Sequence, residues 1–587
     1  MTLIRKLLTV YAMSVMLGGW FTAHAATLPQ LPQKQVDVTM PIVTGSTLSA
    51  TCATLQTQLN AVTKLNINLT HQVILATNTT CTGPYILPSH TGGTGWVLIK
   101  GSNYASLPPS GTRVKLSDAT LMPKIKYGER DEGAFTHVGA FSAQTGAQRY
   151  RIIGIDMVQD STLSTNWAMV VTGYGNQNAL NTGYIILDRV VIRDTNPGHE
   201  TIRGVQGDAQ LGHTALIDSY VAGIKDVGMD NDSQAWLSIS NPGPILVQNN
   251  FLEASGENLM LGGGDPMSAA VHPKDVTIRR NTFSKNQAWW GGGNTLTKTL
   301  LELKLGVRVL IEGNDFFNMP WNDGGYAFRL TVRNQDGSAP YSEVSDLTIR
   351  HNLFKNITNG IIAFGADDAG PSNLSKRSKR WHIHNNLFYG LGSLCGGGAA
   401  CGGWIIIQEG GTSCTDPGPN SNCELSDLTI AHNTVDDINE YMFYVLNTNQ
   451  TGLDFRDNLI NVNGGRGIFS EALWGTTFLS THYGGTWRFI NNRLAAIGGG
   501  EETALYPKGT NSYPVDHTDF LWTNRAARNY TLQAGSPAKN AASDGADQGV
   551  DFSKYNAARA TSISGGSDSS DISAPHPPQQ LRIPTTN

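Results

Sequence analysis

Ile311-Glu312-Gly313-Asn314-Asp315-Phe316 and Ile349-Arg350-His351-Asn352-Leu353-Phe354 share one frame: an apolar residue, an asparagine three positions on, and an apolar residue two positions later. This frame occurs eight times, with its asparagines at positions 250, 281, 314, 352, 386, 433, 458 and 492. Most successive asparagines are about 30–38 residues apart; the intervals on either side of Asn433 are the exceptions. A period of this length is typical of a solenoid.

Short strands of alternating character precede the asparagines. In Val276-Thr277-Ile278-Arg279, the two apolar residues point to one side of the strand and the other two residues to the opposite side. The chain shows no long helical periodicity, so we predict an all-β, right-handed parallel β-helix. An inward asparagine can bond its counterpart in the next coil and tolerates the left-handed backbone that the bend requires. The phenylalanines from 283 to 388 should stack in a file.

Three further segments are informative: Leu121-Met122-Pro123-Lys124-Ile125, Gly256-Glu257-Asn258-Leu259-Met260 with Gly262-Gly263-Gly264-Asp265-Pro266, and Thr331-Val332-Arg333-Asn334-Gln335-Asp336-Gly337. With these segments the chain resembles the secreted bacterial right-handed parallel β-helix proteins of the pectate-lyase-like superfamily. The resemblance implies the β-helix fold over residues 150–500. It implies little about activity, because one fold hosts many functions.

The 587 residues form one long domain in this interpretation, because a solenoid grows without a single central core. Residues 26–150 supply an N-terminal cap and the first coils, and Leu55, Leu59 and Val62 have the spacing of a capping helix. The repeats occupy 151–500. Residues 501–559 form a C-terminal closing segment, and the Ser-, Pro- and Gln-rich residues 560–587 a disordered tail.

The N-terminus predicts export. Residues 1–25 have a basic start, an apolar stretch and an Ala23-His24-Ala25 cleavage site, so we expect a secreted, periplasmic or cell-surface protein without a membrane span. Six cysteines in an exported chain suggest three disulfides, for which sequence leaves 15 connectivities open. Proximity favours Cys52–Cys81, Cys395–Cys401 and Cys414–Cys423. The net charge of −5, without a clustered basic face, argues against nucleic-acid binding.

A charged stripe is predicted on the second strand of each coil. Alternation turns Leu301, Leu303, Phe328 and Leu330 inward. Ionisable residues of neighbouring coils then point outward, about 5 Å apart along the stack. These residues are Glu302, Lys304, Arg329 and Arg333, with Glu257, Asp265, Asp336, Asp367 and Asp368 at the strand ends.

Such a stripe suits β-elimination on a uronic-acid polysaccharide. The reaction needs a base for the C5 proton, here Lys304, Arg329 or Arg333, and a neutraliser for the adjacent carboxylate. The candidate substrate-binding residues are Glu257, Glu302, Asp336, Trp321 and Tyr326. Ca²⁺ held by carboxylates could be the neutraliser; the candidate ligands are Asp265, Asp230 and Asp232, the last two in a second acidic cluster with Lys225 and Asp226.

Other interpretations stay open. Opposite charges on adjacent strands also pair for stability alone. Asp367-Asp368 resembles the paired aspartates of polygalacturonases, but the Gly-His-Gly and Arg-x-Lys motifs of that family are missing. The protein could instead be a non-catalytic glycan-binding module or a structural envelope or matrix protein. We expect a monomer whose partner is a polysaccharide.

Overall fold

The computed structural model describes residues 35–129, 138–173, 180–228, 231–290, 295–321, 325–367, 375–395, 401–408, 425–446, 450–470 and 473–564. Several sequence predictions fall outside these ranges. They are the signal peptide, Asp230, Asp368, the Cys414–Cys423 pair and the tail beyond residue 564.

Three long sheets of parallel strands run along the described chain, and each central coil contributes one strand to each sheet. The last strand of the third sheet, Leu473–Trp474, is the exception, because it pairs antiparallel with Arg466–Ser470. The first sheet contains Thr47–Ala50, His71–Leu75, Val97–Gly101, Gln148–Ile153, Gly183–Asp188, Thr214–Ile217, Ile245–Gln248, Lys274–Arg279, Gly306–Glu312, Val344–Arg350, Lys379–His384, Ser426–Ala431, Thr451–Arg456 and Trp487–Ile490. The second sheet contains Thr80–Thr82, Lys124–Lys126, Asp156–Val158, Val191–Arg193, Tyr220–Ile224, Phe251–Ala254, Thr282–Ser284, Asp315–Met319, Leu353–Ile357, Leu387–Leu391, Thr434–Val435, Leu459–Asn461 and Arg493–Ala495. The third sheet contains Tyr85–Leu87, Phe141–Ala143, Thr165–Gly173, Glu200–Gly207, Gln234–Ser238, Glu257–Leu261, Leu301–Leu303, Tyr326–Thr331, Asn359–Phe364, Ile405–Gln408, Tyr441–Val445, Arg466–Ser470 and Leu473–Trp474. The predicted parallel β-helix is confirmed.

Within the described residues, few elements lie outside the three sheets. Two short antiparallel pairs join Gly128–Glu129 to Val138–Gly139 and Trp522–Asn524 to Asn529–Leu532. The described α-helices are Leu55–Val62, Gly475–Tyr483 and Phe552–Ser564. The described 3-10 helices are Tyr104–Ser106, Leu116–Leu121, Ala269–Val271, Gln287–Trp289, Thr503–Leu505 and His517–Phe520. None of the helices in the described ranges is both long and apolar enough to cross a bilayer.

The asparagines form a continuous buried ladder between the first and second sheets. Asn281 donates through its backbone N–H (2.9 Å) and its Nδ2 (3.0 Å) to Oδ1 of Asn314, and through Nδ2 to the carbonyl of Val247 (2.8 Å). The same arrangement repeats from Asn250 to Asn492 and continues to Asn511, which the sequence frame missed. Each buried amide is thereby fully bonded, which stabilises the coil at its sharpest bend.

The left-handed backbone at this bend falls one residue earlier than predicted. The residue before each asparagine, and not the asparagine itself, has a positive φ. The eight residues are Asn249, Arg280, Gly313, His351, Asn385, His432, Asp457 and Asn491. The asparagine is therefore required for its hydrogen bonds. The residue before it adopts the left-handed backbone conformation, whatever its side chain.

The core is a stack of apolar side chains inside the coils. The rings of Phe283, Phe316, Phe354 and Phe388 stack with centroids 4.6, 4.9 and 4.1 Å apart, which confirms the predicted file. At the N-terminal end, the helix Leu55–Val62 buries all three of its predicted apolar residues in the same core. The Cys52–Cys81 and Cys395–Cys401 disulfides are present as predicted.

Two segments cover the outer face of the second sheet. Leu107, Val114 and Met122 pack against Val191 and Tyr220 on the early coils. On the later coils, the C-terminal segment packs Phe520, Trp522, Tyr530, Val550 and Tyr555 against the sheet. The second sheet is thus shielded by the chain's own segments, while the ionisable residues predicted for the site lie on the third sheet.

Candidate functional site

Strand register brings the predicted residues of the third sheet together. Leu301–Leu303 pairs in parallel with Tyr326–Thr331, so that Glu302 lies opposite Arg329. The flanking apolar residues of both strands are fully buried in the core, as the alternation predicted. Glu302 and Arg329 therefore share the outer face.

Lys304 and Arg333 are also neighbours across the coils, because the backbone N–H of Arg333 donates to the carbonyl of Lys304 at 3.0 Å. The Lys304 ammonium lies 3.7 Å from Oε1 of Glu302. Glu302, Lys304, Arg329 and Arg333, here called the charged patch, thus come from two successive coils. We expected these side chains to be exposed, but the Glu302 and Lys304 side chains are only 4% and 14% exposed, because they pair with each other.

Glu257 lies in the preceding coil and is fully buried, in contrast to the exposed position predicted for it. Its Oε2 accepts a hydrogen bond from Nε2 of Gln234 at 2.8 Å. Its Oε1 has no hydrogen-bond partner among the described residues. The closest cation to that oxygen in an ion pair is the Lys298 ammonium, at 3.9 Å.

Lys298 is the site residue that sequence reasoning missed. Its ammonium lies 2.6 Å from Oδ1 and 2.7 Å from Oδ2 of Asp232, and its backbone N–H donates to the carbonyl of Ser255 at 3.1 Å. Lys298 lies in a loop without strand alternation, so no periodic signal marks it. Its position three residues before Leu301 was the only available clue. Asp232, Glu257 and Lys298 are called the Lys298 cluster below.

The Lys298 cluster has unusual protonation behaviour. Burial raises the pKa of Glu257, and the carboxylates of Glu302 and Asp232 raise it further. Burial lowers the pKa of Lys298, but the attraction of Glu257, Asp232 and Glu302 outweighs this effect and raises it overall. The cluster therefore favours a protonated carboxyl beside a permanent cation, which is typical of functional sites and of structural networks alike.

The other predicted substrate-binding residues are dispersed. Asp336 is exposed in the loop after Tyr326–Thr331, and Trp321 is 37% exposed before that strand. The Tyr326 hydroxyl lies 2.9 Å from the Tyr441 hydroxyl, and burial raises the pKa of Tyr326. Of these three residues, Tyr326 alone lies on a strand of the charged patch.

The predicted Ca²⁺ ligands do not converge. Asp232 precedes Gln234–Ser238, whereas Asp265 follows Glu257–Leu261, so the two lie at opposite ends of the strands of the third sheet. Oδ2 of Asp265 accepts hydrogen bonds from the N–H and hydroxyl of Ser338, both at 2.8 Å. Within the described residues, no group of three or more His, Cys, Asp or Glu side chains is arranged to hold a metal ion.

The second acidic cluster also resolves into separate pairs. Lys225 pairs with Asp194 at 3.1 Å, and Asp226 accepts the backbone N–H groups of Gly228 and Asn231 at 3.0 and 2.6 Å. Asp232, the remaining described acid, faces Lys298. Each described acid of this cluster therefore has its own partner; Asp230 lies outside the described residues, and the shared cation site stays a prediction.

A largely buried aromatic cluster continues the third sheet toward the C-terminal coils. Tyr444 stacks on Phe469 with centroids 4.5 Å apart, and the Arg466 guanidinium lies 4.8 Å above the Phe469 ring. Ile362, Phe364 and Ile406 belong to the same apolar cluster. A charged half and an aromatic half therefore follow each other along the third sheet.

No protein-family model and no curated protein matches the chain. Among solved structures, the chain is similar to a mannuronic acid specific polysaccharide family 6 lyase from human gut microbiota (12% identity, TM-score 0.39, covering 80% of this chain and 91% of that one). It is similar to a PL6 family polysaccharide lyase from Pseudopedobacter saltans (11% identity, TM-score 0.43, covering 80% of this chain and 93% of that one). It is also similar to PfbA, a surface adhesin of Streptococcus pneumoniae (13% identity, TM-score 0.31, covering 76% of this chain and 86% of that one). Such low scores carry no argument about activity, and the fold rests on the strand pairing described above.

Proposed function

We propose that the protein is an exported enzyme that cleaves a uronic-acid polysaccharide by β-elimination. The observation that carries the proposal is the charged patch. The side-chain nitrogen of Lys304 lies 3.7 Å from the Glu302 carboxylate, Arg329 is opposite Glu302 on the next strand, and Arg333 is opposite Lys304. Because these residues come from successive coils, a polysaccharide chain lying along the stack would meet them together.

The chemistry follows from the residues of the patch. The Arg329 and Arg333 guanidinium groups bind the uronate carboxylate and stabilise the charge that develops when the C5 proton leaves. Lys304 is the candidate base for that proton. The C5–H electron pair becomes the C4–C5 double bond, and the C4–O bond breaks. The departing oxygen takes a proton from water.

Calcium has no step in this proposal. A calcium ion needs six to eight oxygen ligands, whereas the carboxylates of the Lys298 cluster already face an ammonium. The two described ligands predicted from sequence, Asp232 and Asp265, lie at opposite ends of the strands of the third sheet and do not form one site.

Non-catalytic glycan binding is a second candidate, favoured by the exposed indole of Trp321 beside the strand Tyr326–Thr331. An exposed ring of this kind suits the apolar face of a sugar. A binding module would use such a ring and would leave the polysaccharide intact, so the two candidates differ in their products.

Incubation of the mature protein with a panel of uronate polymers and neutral glycans tests the proposal. Ultraviolet absorbance detects the unsaturated product of β-elimination, and a parallel sample with a chelator tests metal dependence. An absorbance increase that is lost in Arg333→Ala supports the lyase. Binding by calorimetry without any product favours the module, and neither product nor binding leaves a structural role as the better account.

A further inference from the structure

Lys298 lies between two acidic side chains, Asp232 and Glu257, that need a positive counterion. Its ammonium bridges both oxygens of Asp232 and faces Glu257, whose Oε1 is buried without a hydrogen-bond partner. We propose that Lys298 is the resident cation of this site: it takes the place of a divalent metal between the two carboxylates and binds the carboxylate of the substrate. The second half of this proposal rests on the proposed function.

The geometry leaves Lys298 able to make one further contact. An ammonium has three N–H donors, and Asp232 engages one face of it. The Lys298 side chain is 22% exposed, whereas Glu257 is fully buried, so an incoming anion meets the ammonium and not the glutamate. Hydrogen bonds continue behind it from Glu257 to Gln234 at 2.8 Å and on to Arg203 at 3.4 Å, which fixes the buried carboxyl.

The charge balance supports an anionic ligand. Three carboxylates together would repel a polyuronate, but burial raises the pKa of Glu257 and so favours its neutral form. The neighbouring carboxylates raise the pKa of Lys298 and so keep its positive charge. Lys298 precedes the strand of Glu302 in the same coil, and its ammonium contacts Asp232 and Glu257 of the earlier coils, so it adds a cation on that side of the charged patch.

The test compares Lys298→Met, which removes the charge and keeps an apolar stem, with Lys298→Arg, which keeps the charge. Lys376→Met is the matched control, since its ammonium pairs with Glu343 at 3.3 Å on an exposed side chain. The first readout needs no substrate: the unfolding midpoint is measured with and without millimolar calcium chloride. We expect Lys298→Met to lose several degrees and to regain part of them with calcium, while the parent and Lys376→Met do not respond.

An equal calcium response in the parent and Lys298→Met would overturn the cation role, as would an unchanged midpoint in Lys298→Met. If Lys298→Met does not fold, the double variant Asp232→Asn/Lys298→Met tests the cation role instead. Removing one carboxylate together with the ammonium should restore folding and abolish the calcium response. Failure to fold in the double variant also overturns the role.

The second readout is kinetic. On a polymer that the parent cleaves, Lys298→Met should raise KM at least tenfold with a smaller change in kcat, and Lys298→Arg should retain most of the affinity. An unchanged KM in Lys298→Met overturns substrate binding by Lys298. If the parent cleaves no polymer, the proposed function fails, while the calcium readout still decides whether Lys298 is the resident cation.

Discussion

Asn314 donates two hydrogen bonds to one oxygen of Asn352 in the next coil, from its backbone N–H at 2.9 Å and from its Nδ2 at 3.0 Å. Both residues are fully buried. The hydrogen-bond donors at the bend of one coil therefore find their acceptor on a side chain of the next coil. The turn is stable only when the two coils are stacked.

Asn352→Ala should destabilise the protein by roughly 2–4 kcal/mol, because a buried donor without a partner costs about 1–3 kcal/mol and two are orphaned at once. Chemical denaturation monitored by circular dichroism measures the change. Asn68→Ala is the control, since Asn68 is exposed and should change stability by less than about 0.5 kcal/mol. Equal effects of the two variants would contradict the role of the ladder.

Phe316→Ala should cost roughly 3–5 kcal/mol, because its ring stacks between two neighbours and the coils cannot collapse into the space it leaves. Phe354→Ala should behave alike. Val515→Ala, at a position that is 92% exposed, is the matched control. Calorimetry with no difference between Phe316→Ala and this control would refute the packing account; partial unfolding of the solenoid would appear as more than one transition.

His272 should make stability depend on pH. Its Nδ1 lies 3.0 Å from the Pro273 carbonyl and its Nε2 accepts the Glu343 N–H at 3.1 Å, an arrangement that fits only the neutral ring. Burial lowers the pKa of His272 from 6.5 to about 4. The unfolded chain therefore binds the proton more readily, and stability is lost as pH falls from about 6.5 to about 4, by up to about 3 kcal/mol.

His272→Gln removes this titration, so the loss of unfolding free energy between pH 6.5 and pH 4 should be smaller in the variant than in the parent. His517→Gln, at a partly exposed position, should leave the pH dependence of the parent intact. Identical pH profiles for the parent and His272→Gln would show that other groups cause the dependence.

Arg333→Ala and Arg329→Ala should each lower kcat/KM by on the order of a hundredfold or more, as expected when a group that stabilises developing charge is removed. Far-ultraviolet circular dichroism and the unfolding midpoint should change little, because both side chains are partly exposed. Lys554→Ala, at a distant exposed site, is the control for activity. Variants that turn over substrate at the parent rate would place the active site elsewhere.

The protein purified from an oxidising compartment should contain no free thiol. Cys52–Cys81 and Cys395–Cys401 are bonded in the structure, and the pairing Cys414–Cys423 stays a prediction. Thiol titration under denaturing conditions, followed by peptide mapping of the unreduced protein, measures all three pairs. One free thiol, or a peptide linking Cys414 to a cysteine other than Cys423, would contradict the prediction.

The asparagine and phenylalanine positions could be predicted because each belongs to a repeat. Equivalent positions of stacked coils have the same environment. The same residue types as Asn314 and Phe316 are therefore favoured at these positions in one coil after another. Asn511 does not match the frame, because the position three residues before it is occupied by Lys508 and not by an apolar residue.

The charged patch was predictable only in part. Alternation placed Glu302 and Arg329 on the outer face, but it carried no information about burial, and the pairing of Glu302 with Lys304 removes both side chains from most of the solvent. Lys298 could not be predicted, because its partner Asp232 is 66 residues away in sequence and both lie outside the periodic strands.

The sequence by itself determined the coil, its repeat, the asparagine ladder and the phenylalanine file, since these depend on contacts that recur with the repeat. Only the tertiary structure decided which charges meet at the third sheet. Loops such as those that carry Asp232 and Lys298 obey no period, and a charge acquires its partner and its pKa from neighbours that only stacking of the coils brings together.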